Sequence, residues 1–192
     1  MIPECRKTVT RYRWIVIAAG LICLFTSLGA SHFWDQDEGF FASTAAEMHQ
    51  SGDLIVPSFN GELFGHKPPW MYWMMMVGYS LFGVGELGAR FFSAVFGTAA
   101  ALLTYRLGAR LMNPRVGLYA GLAMISCVMF SVVSRAATPD SYLVLFSTLA
   151  LYIFATHGFA RREQVRDTHH GASGDVRLPR SWWSFALMYA VM

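Results

Sequence analysis

Four nearly uncharged stretches, each long enough to cross a lipid bilayer, restrict the fold of this chain more than any other feature. A helix needs roughly 20 mostly apolar residues to cross the hydrocarbon core. Only 14% of the residues are charged, against roughly 25% in soluble domains. The sequence therefore predicts an all-α, polytopic transmembrane helix bundle. Its predicted spans cover residues 14–31, 87–107, 116–134 and 141–159, and the start of another lies at 182.

The last apolar stretch is short, because it begins near 182 and the sequence stops at Met192. A span needs about twice that length. We therefore expect this chain to be the N-terminal part, residues 1–192, of a longer transmembrane domain that is truncated here.

Charge and cysteine content argue against several other classes. The net charge of +3 is too small to indicate a nucleic-acid partner. The three cysteines, Cys5, Cys23 and Cys127, are too widely spaced for a disulfide framework. The six histidines show no metal-ligand spacing, and His169-His170 is interpreted as part of a polar loop.

The basic residues predict the orientation, because cytoplasmic loops carry an excess of Lys and Arg. Four bases precede the first span, which we interpret as an uncleaved anchor, since a signal peptide has an apolar core of only about 7–15 residues. The N-terminus of this multi-pass protein is then cytoplasmic. The predicted inner segments are 108–115 and 161–181, and the predicted outer segments are 32–67 and 134–140.

This orientation requires that the apolar stretch 70–83 does not cross the membrane. A helix of that length reaches about 20 Å, short of a ~30 Å hydrocarbon core. We therefore predict a short helix that dips in from the outer face. Arg90, early in the following span, fits this scheme least well.

The outer loop, 32–67, contains a predicted amphipathic helix over residues 39–50. Phe40, Phe41, Thr44 and Met48 recur at helical spacing with polar residues opposite them. Such a helix is typical of a membrane surface. Asn60-Gly61 predicts a turn after it.

Several groups capable of chemistry fall on the predicted outer face: Asp35, Asp37, Glu38, His66, Lys67, Arg135 and Asp140. Structural explanations compete with functional ones. Asp37 could be the N-cap of the surface helix, Thr138-Pro139-Asp140 could simply begin a helix, and Arg135 could extend to the interface. Lys67 is harder to explain structurally, because a cation before a helix N-terminus opposes the helix dipole. Such a corner favours an anion.

A set of motifs in order and spacing resembles the N-terminal part of one family, the GT-C glycosyltransferases that use polyprenyl-phosphate sugars. That group includes the lipid A aminoarabinose transferases and is related to the protein O-mannosyltransferases. The resemblance covers about residues 14–160. It is carried by Asp37-Glu38-Gly39-Phe40-Phe41-Ala42, Glu47-Met48, Ser51-Gly52-Asp53, Pro57, Asn60-Gly61, Lys67-Pro68-Pro69, Tyr72-Trp73, Leu81-Phe82-Gly83, Glu86 with Arg90, and Arg135 with Thr138 and Asp140.

The resemblance implies a glycosyltransferase that moves a sugar, with inversion, from a polyprenyl-phosphate donor to a lipid, glycan or protein hydroxyl on the outer face of a bacterial inner membrane. It implies catalytic roles for Asp37 and Asp140 and substrate contacts for Glu38, His66, Lys67 and Arg135. His66 departs from the family pattern, in which Glu often precedes Lys-Pro-Pro. No cofactor is certain, although Asp37 and Asp140 could hold a divalent cation through oxygen ligands.

Two other functions stay open. A transporter or flippase fragment would place charges along a pathway inside the membrane, but the long apolar stretches carry few ionisable residues. An inactive truncated membrane protein is the other alternative. The sugar, the acceptor and the oligomeric state are not readable from these residues.

Overall fold

The computed structural model describes residues 3–64 and 67–168, and the side chains of residues 7–64 and 67–156. This part of the chain contains seven α-helices and one β-hairpin, which confirms the predicted all-α membrane fold. The elements in order are α1 Pro3–Phe25, α2 Gln36–Ser51, β1 Ser58–Phe59, β2 Glu62–Leu63, α3 Pro69–Phe82, α4 Glu86–Leu111, α5 Pro114–Ser126, α6 Val128–Arg135 and α7 Asp140–Thr168.

Two helices within the described residues are long and apolar enough to cross a membrane, Lys7–Phe25 in α1 and the whole of α4. α4 is central, because it packs against α1, α3, α5, α6 and α7. Glycines bring its neighbours close. A Cβ on Gly78 of α3 would lie 2.1 Å from the carbonyl oxygen of Gly88, and one on Gly117 of α5 would lie 2.4 Å from that of Tyr105. Small residues allow this kind of close packing between membrane helices.

The stretch predicted as one span over 116–134 is not a continuous helix. α5 and α6 meet at an angle of 66°, with Cys127 between them in an extended conformation. The hydroxyls of Ser126 and Ser131 donate to the carbonyls of Ala123 and Ile125. The bond from Ser131 reaches a carbonyl on the other side of Cys127, and hydroxyl bonds of this kind make a break tolerable at membrane depth.

α2 contains the predicted amphipathic segment 39–50, and protein covers its apolar face. Phe41, Ala45 and Met48 belong to the core cluster that includes α3 residues Tyr72 and Tyr79. The Tyr79 hydroxyl also donates to the carbonyl of Ala42 at 2.9 Å. α2 is therefore docked on α3 by its apolar side, which fixes the direction of its first turn.

The remaining elements follow the sequence closely. α3 covers nearly the whole predicted stretch 70–83 and ends at Gly83, whose φ of 84° suits glycine. Asn60 and Gly61 have φ of 54° and 78°, as in a type I′ hairpin turn. α7 continues to Thr168, into the segment predicted as a loop over 161–181. The rest of that loop, His169-His170 and the predicted start of a span at 182 lie outside the described residues.

Candidate active site

The first turn of α2 presents the acidic cluster. Asp35 occupies the N-cap position in an extended conformation, and its backbone carbonyl accepts from the Gly39 N–H at 3.1 Å. Asp37 and Glu38 follow inside the first turn. The alternative that Asp37 is the N-cap is therefore wrong. Asp37 is exposed, so its carboxylate is available for a ligand.

Glu38 points the other way and forms a buried ion pair with Arg90 of α4. Arg90 Nε donates to Glu38 Oε1 at 2.7 Å, and Nη2 donates to Oε2 at 2.9 Å. The Glu38 residue is 0% exposed and Arg90 is 2% exposed. A two-pronged guanidinium–carboxylate contact of this kind fixes geometry as well as charge. α2 and the start of α4 are thus joined at one point.

The same pair gathers two further segments. Arg90 Nη1 donates to the carbonyls of Leu28 and Ser31, and Nη2 donates to that of His32 at 3.0 Å. Glu38 Oε1 accepts from the Ala137 N–H at 2.8 Å. The link after α1 and the corner before α7 are therefore bonded to the first turn of α2. We call the Glu38–Arg90 pair with these backbone partners the clasp.

Two expectations change with the clasp. Glu38, expected to contact substrate, has no exposed surface and its carboxylate is fully engaged, so it cannot touch a ligand in this structure. Arg90, the residue that fits the orientation scheme least well, is the buried partner of Glu38, a role that the motifs do not assign to it. The sequence does contain a signal for this role: an Arg within an apolar stretch needs a partner, because an isolated buried charge is costly.

Lys67 lies just before α3 and is exposed. Its Nζ is 5.6 Å from the ring centroid of Phe41 on α2. The described part of the chain places no carboxylate oxygen within 4.0 Å of this ammonium. Lys67 therefore keeps its charge available beside the helix that carries Asp37. His66, expected to contact substrate as well, lies outside the described residues.

Arg135 ends α6 and donates to the carbonyls of Cys23 and Thr26 at the end of α1, at 3.1 and 2.8 Å. Helix C-termini attract cations because their last carbonyls lack partners. These two bonds leave other N–H groups of the guanidinium, which has five donors. Arg135 lines a cleft of about 560 Å³ together with Arg90 and Trp34, so it faces a space that could receive an anion.

Asp140 is the first residue of α7 and is exposed. Thr138, a candidate cap, has its hydroxyl buried without a hydrogen-bond partner among the described residues. The corner does begin a helix, with Asp140 in its first turn, but the Thr138 hydroxyl does not cap it. Because Ala137 is bonded to Glu38, the clasp brings the corner that carries Asp140 to the turn that carries Asp37.

The described residues do not form a metal site by themselves. The described residues contain no group of three or more His, Cys, Asp or Glu side chains that could hold an ion. A divalent cation between Asp37 and Asp140 would need further oxygen ligands from water or substrate, since Ca²⁺ and Mg²⁺ take six or more. The candidate site thus consists of two exposed carboxylates, Asp37 and Asp140, and two cations, Lys67 and Arg135. Of these four residues, Arg135 lines the cleft.

The bundle resembles solved glycosyltransferase structures. ArnT from Cupriavidus metallidurans in the apo state matches with a TM-score of 0.70 and 31% identity, covering 76% of this chain and 27% of that one. The same protein bound to undecaprenyl phosphate matches with a TM-score of 0.75 and 26% identity, covering 95% and 31%. The chain therefore has the fold of one part of a GT-C membrane glycosyltransferase.

Sequence comparison defines the family. Residues 66–167 match the dolichyl-phosphate-mannose-protein mannosyltransferase family, and the chain belongs to it. An uncharacterized protein of Aquifex aeolicus is 36% identical over 151 residues, which are 78% of this chain and 30% of that protein. An undecaprenyl phosphate-alpha-4-amino-4-deoxy-L-arabinose arabinosyl transferase of Pseudomonas savastanoi pv. phaseolicola is 30% identical over 169 residues, covering 85% and 32%.

The resemblance drawn from the motifs is thus confirmed, and the chain is part of an integral membrane protein. It spans about a third of the length of the relatives it matches.

Proposed function

We propose that this chain carries catalytic groups of a membrane glycosyltransferase that moves a sugar from a polyprenyl-phosphate donor to an acceptor hydroxyl. Family membership supports the reaction class. The observation that carries the proposal is the position of Asp37 and Lys67: both are exposed, and both are attached to α2, one as part of its first turn and one through Phe41. Two opposite charges held by one element suit a transfer in which a proton leaves and an anion forms.

In the proposed reaction Asp37 is the general base. It removes the proton of the acceptor hydroxyl while the hydroxyl oxygen bonds to the anomeric carbon of the sugar. The bond from that carbon to the donor phosphate oxygen breaks, and its electron pair stays on the polyprenyl phosphate. General base catalysis of this kind contributes about 10²–10⁴ in rate. Attack from the side opposite the phosphate inverts the anomeric centre.

The cations hold the leaving group. Lys67 is close to α2 and lacks a carboxylate partner in the described chain, so its charge can stabilise the phosphate as it departs. Arg135 supplies further N–H donors from the cleft that it lines. Asp140 orients the acceptor hydroxyl beside Asp37, from the corner that the clasp attaches to α2.

The proposal places the reaction on the outer face of a bacterial inner membrane, with the N-terminus in the cytoplasm. The distribution of arginines supports this, because those near 110–115 and 161–166 then lie inside. A transporter is disfavoured by Arg90, because its charge is already paired with Glu38 and with backbone carbonyls and is not left for a passing substrate.

The lipid phosphate site is tested by binding. This chain, in nanodiscs, is titrated with undecaprenyl phosphate and, separately, with undecaprenol. We expect binding that needs the phosphate and that falls about tenfold or more in Lys67→Met, because charge-assisted bonds are the strong ones. Lys7→Met is the matched control, since Lys7 is the other lysine of the chain. Equal affinity for both lipids, or no effect of Lys67→Met, would contradict the proposal.

A further inference from the structure

Lys67 is held by an aromatic ring rather than by a carboxylate. Its ammonium lies 5.6 Å from the centroid of the Phe41 ring, within the distance at which a ring face attracts a cation. A carboxylate partner would neutralise the ammonium and occupy its donors. A ring attracts the charge without neutralising it, and the N–H donors that point away from the ring stay free for an anion.

Phe41 is itself fixed. It is 5% exposed and belongs to the core cluster with Tyr72 and Tyr142, so packing on its other sides holds the ring in place. Asp37 precedes it by four residues in α2. Residues four apart lie on one face of a helix, about 5–6 Å apart between Cβ atoms. The ring that holds the cation is therefore attached to α2 one helical turn after the residue that carries the Asp37 carboxylate.

The chain before Lys67 is also attached to α2. The rings of Phe40, Phe59 and Phe64 contact one another at centroid distances of 5.0 to 6.0 Å. Glu47 accepts from the Asn60 N–H at 2.7 Å. The hairpin is thus anchored on α2 independently of Phe41, so the Phe41 ring sets the final position of the ammonium and not that of the whole loop.

We propose that Phe41 is a positioning residue, whose ring, one helical turn after Asp37 on α2, holds the Lys67 ammonium with donors free for the lipid phosphate. This rests on the proposed function of Lys67 as the phosphate-binding cation. It adds a residue that touches neither donor nor acceptor and that acts through Lys67.

The lysine content allows a direct test, because the chain has two lysines, Lys7 and Lys67. Reductive methylation with ¹³C-formaldehyde labels both side chains and keeps their charge. We expect the Lys67 methyl signal in nanodiscs to lie upfield of the Lys7 signal, because a methyl group over a ring face is shielded. The shift should disappear in Phe41→Leu. It should persist in Phe130→Leu, a matched change at a residue that is 8% exposed and lies in a separate core cluster.

Binding provides the second measurement. The affinity for undecaprenyl phosphate should fall about two- to fivefold in Phe41→Leu, the effect of losing one exposed cation–ring contact, and stay unchanged in Phe130→Leu. A variant with 3,4,5-trifluorophenylalanine at position 41 keeps the packing but weakens the negative face of the ring. It should show a similar loss, and it decides the question if Phe41→Leu does not fold.

The results separate the two proposals. An unshifted Lys67 signal, or wild-type affinity in the trifluoro variant, overturns the role of Phe41. A shifted Lys67 signal together with wild-type affinity in Lys67→Met leaves the ring contact intact but overturns the proposed function of Lys67.

Discussion

Glu38 Oε1 accepts a hydrogen bond of 2.8 Å from the backbone N–H of Ala137, across 99 residues of sequence. Glu38 directly follows Asp37, and Ala137 lies three residues before Asp140. The same oxygen accepts from Arg90 Nε at 2.7 Å. One buried carboxylate therefore holds together the turn, the corner and the helix around which the proposed chemistry is arranged.

The clasp should be essential for folding. Glu38→Gln keeps the size and one oxygen acceptor but leaves the Arg90 charge buried without its opposite. Breaking a buried pair in this way costs about 3–5 kcal/mol, and we expect a loss of that size in unfolding experiments in detergent. Glu62→Gln is the matched control, because Glu62 is exposed and a surface change costs about 0.5 kcal/mol or less. Similar stability of the two variants would show that the clasp does not hold the fold.

Asp37 and Asp140 should lie within about 10 Å of one another, close to the separation at which two carboxylates leave room for a nucleophile in inverting sugar chemistry. The clasp supports this, since it joins their neighbouring residues. Cysteines at 37 and 140, in a background without native thiols, should be joined by a short bis-maleimide. The pair Gln50→Cys and Asp140→Cys is the control, because Gln50 is about 20 Å further along α2. Cross-linking of the control pair alone would remove the proposed pairing.

Orientation is tested by labelling intact cells with an impermeant thiol reagent. Ile55 is 81% exposed in the loop after α2 and Met112 is 72% exposed between α4 and α5. We expect Ile55→Cys to react in intact cells and Met112→Cys to react only after the membrane is permeabilised. In the predicted orientation α4 is the single crossing between these two positions. Reaction of both cysteines in intact cells would mean that α3 crosses as well, and the predicted orientation would be wrong.

Asp53 should give a pH-dependent signal in the loop after α2. The backbone N–H groups of Ile55 and Val56 donate to its Oδ1 at 2.8 and 3.2 Å, and these bonds lower the pKa of Asp53 below its ordinary value of 3.8. A lowered pKa means that the stabilisation of this turn is complete above that value and is lost as the pH falls through the lower folded pKa. The Ile55 amide resonance should follow that titration.

Asp53→Asn is the control for this titration. Its amide side chain keeps an acceptor oxygen for the two N–H groups but does not ionise. The Ile55 amide should then stay constant over the same acidic range. A midpoint above 3.8 in the wild-type chain would contradict the bonding seen in this turn.

Much of the fold follows from apolar length and helix periodicity. α2 and α3 begin and end within a few residues of the predicted segments, because Gly52 and Gly83 end them and Pro68-Pro69 opens the second. The break at Cys127 was not predictable, since neither Gly nor Pro marks it. The hydroxyl of Ser131 donates to the carbonyl of Ile125 across this break.

The position of the acidic cluster was predictable, but the orientation of its side chains was not. A cluster of acids shows where charge is concentrated but not which carboxylate turns inward. Asp37 is exposed and Glu38 is buried although they are adjacent, because successive residues of a helix point about 100° apart. The burial of Glu38 could have been anticipated only by pairing it with Arg90, 52 positions later.

The central claim, that Asp37 is the base and Lys67 the phosphate-binding cation, is tested most directly by measuring turnover and donor affinity together. Sugar transfer and donor-lipid binding are measured for Asp37→Asn and Lys67→Met in the complete gene product. Asp37→Asn should lower turnover by about 10²–10⁴ with near-normal binding, and Lys67→Met should weaken binding and slow transfer. Near-normal turnover in Asp37→Asn would contradict the account.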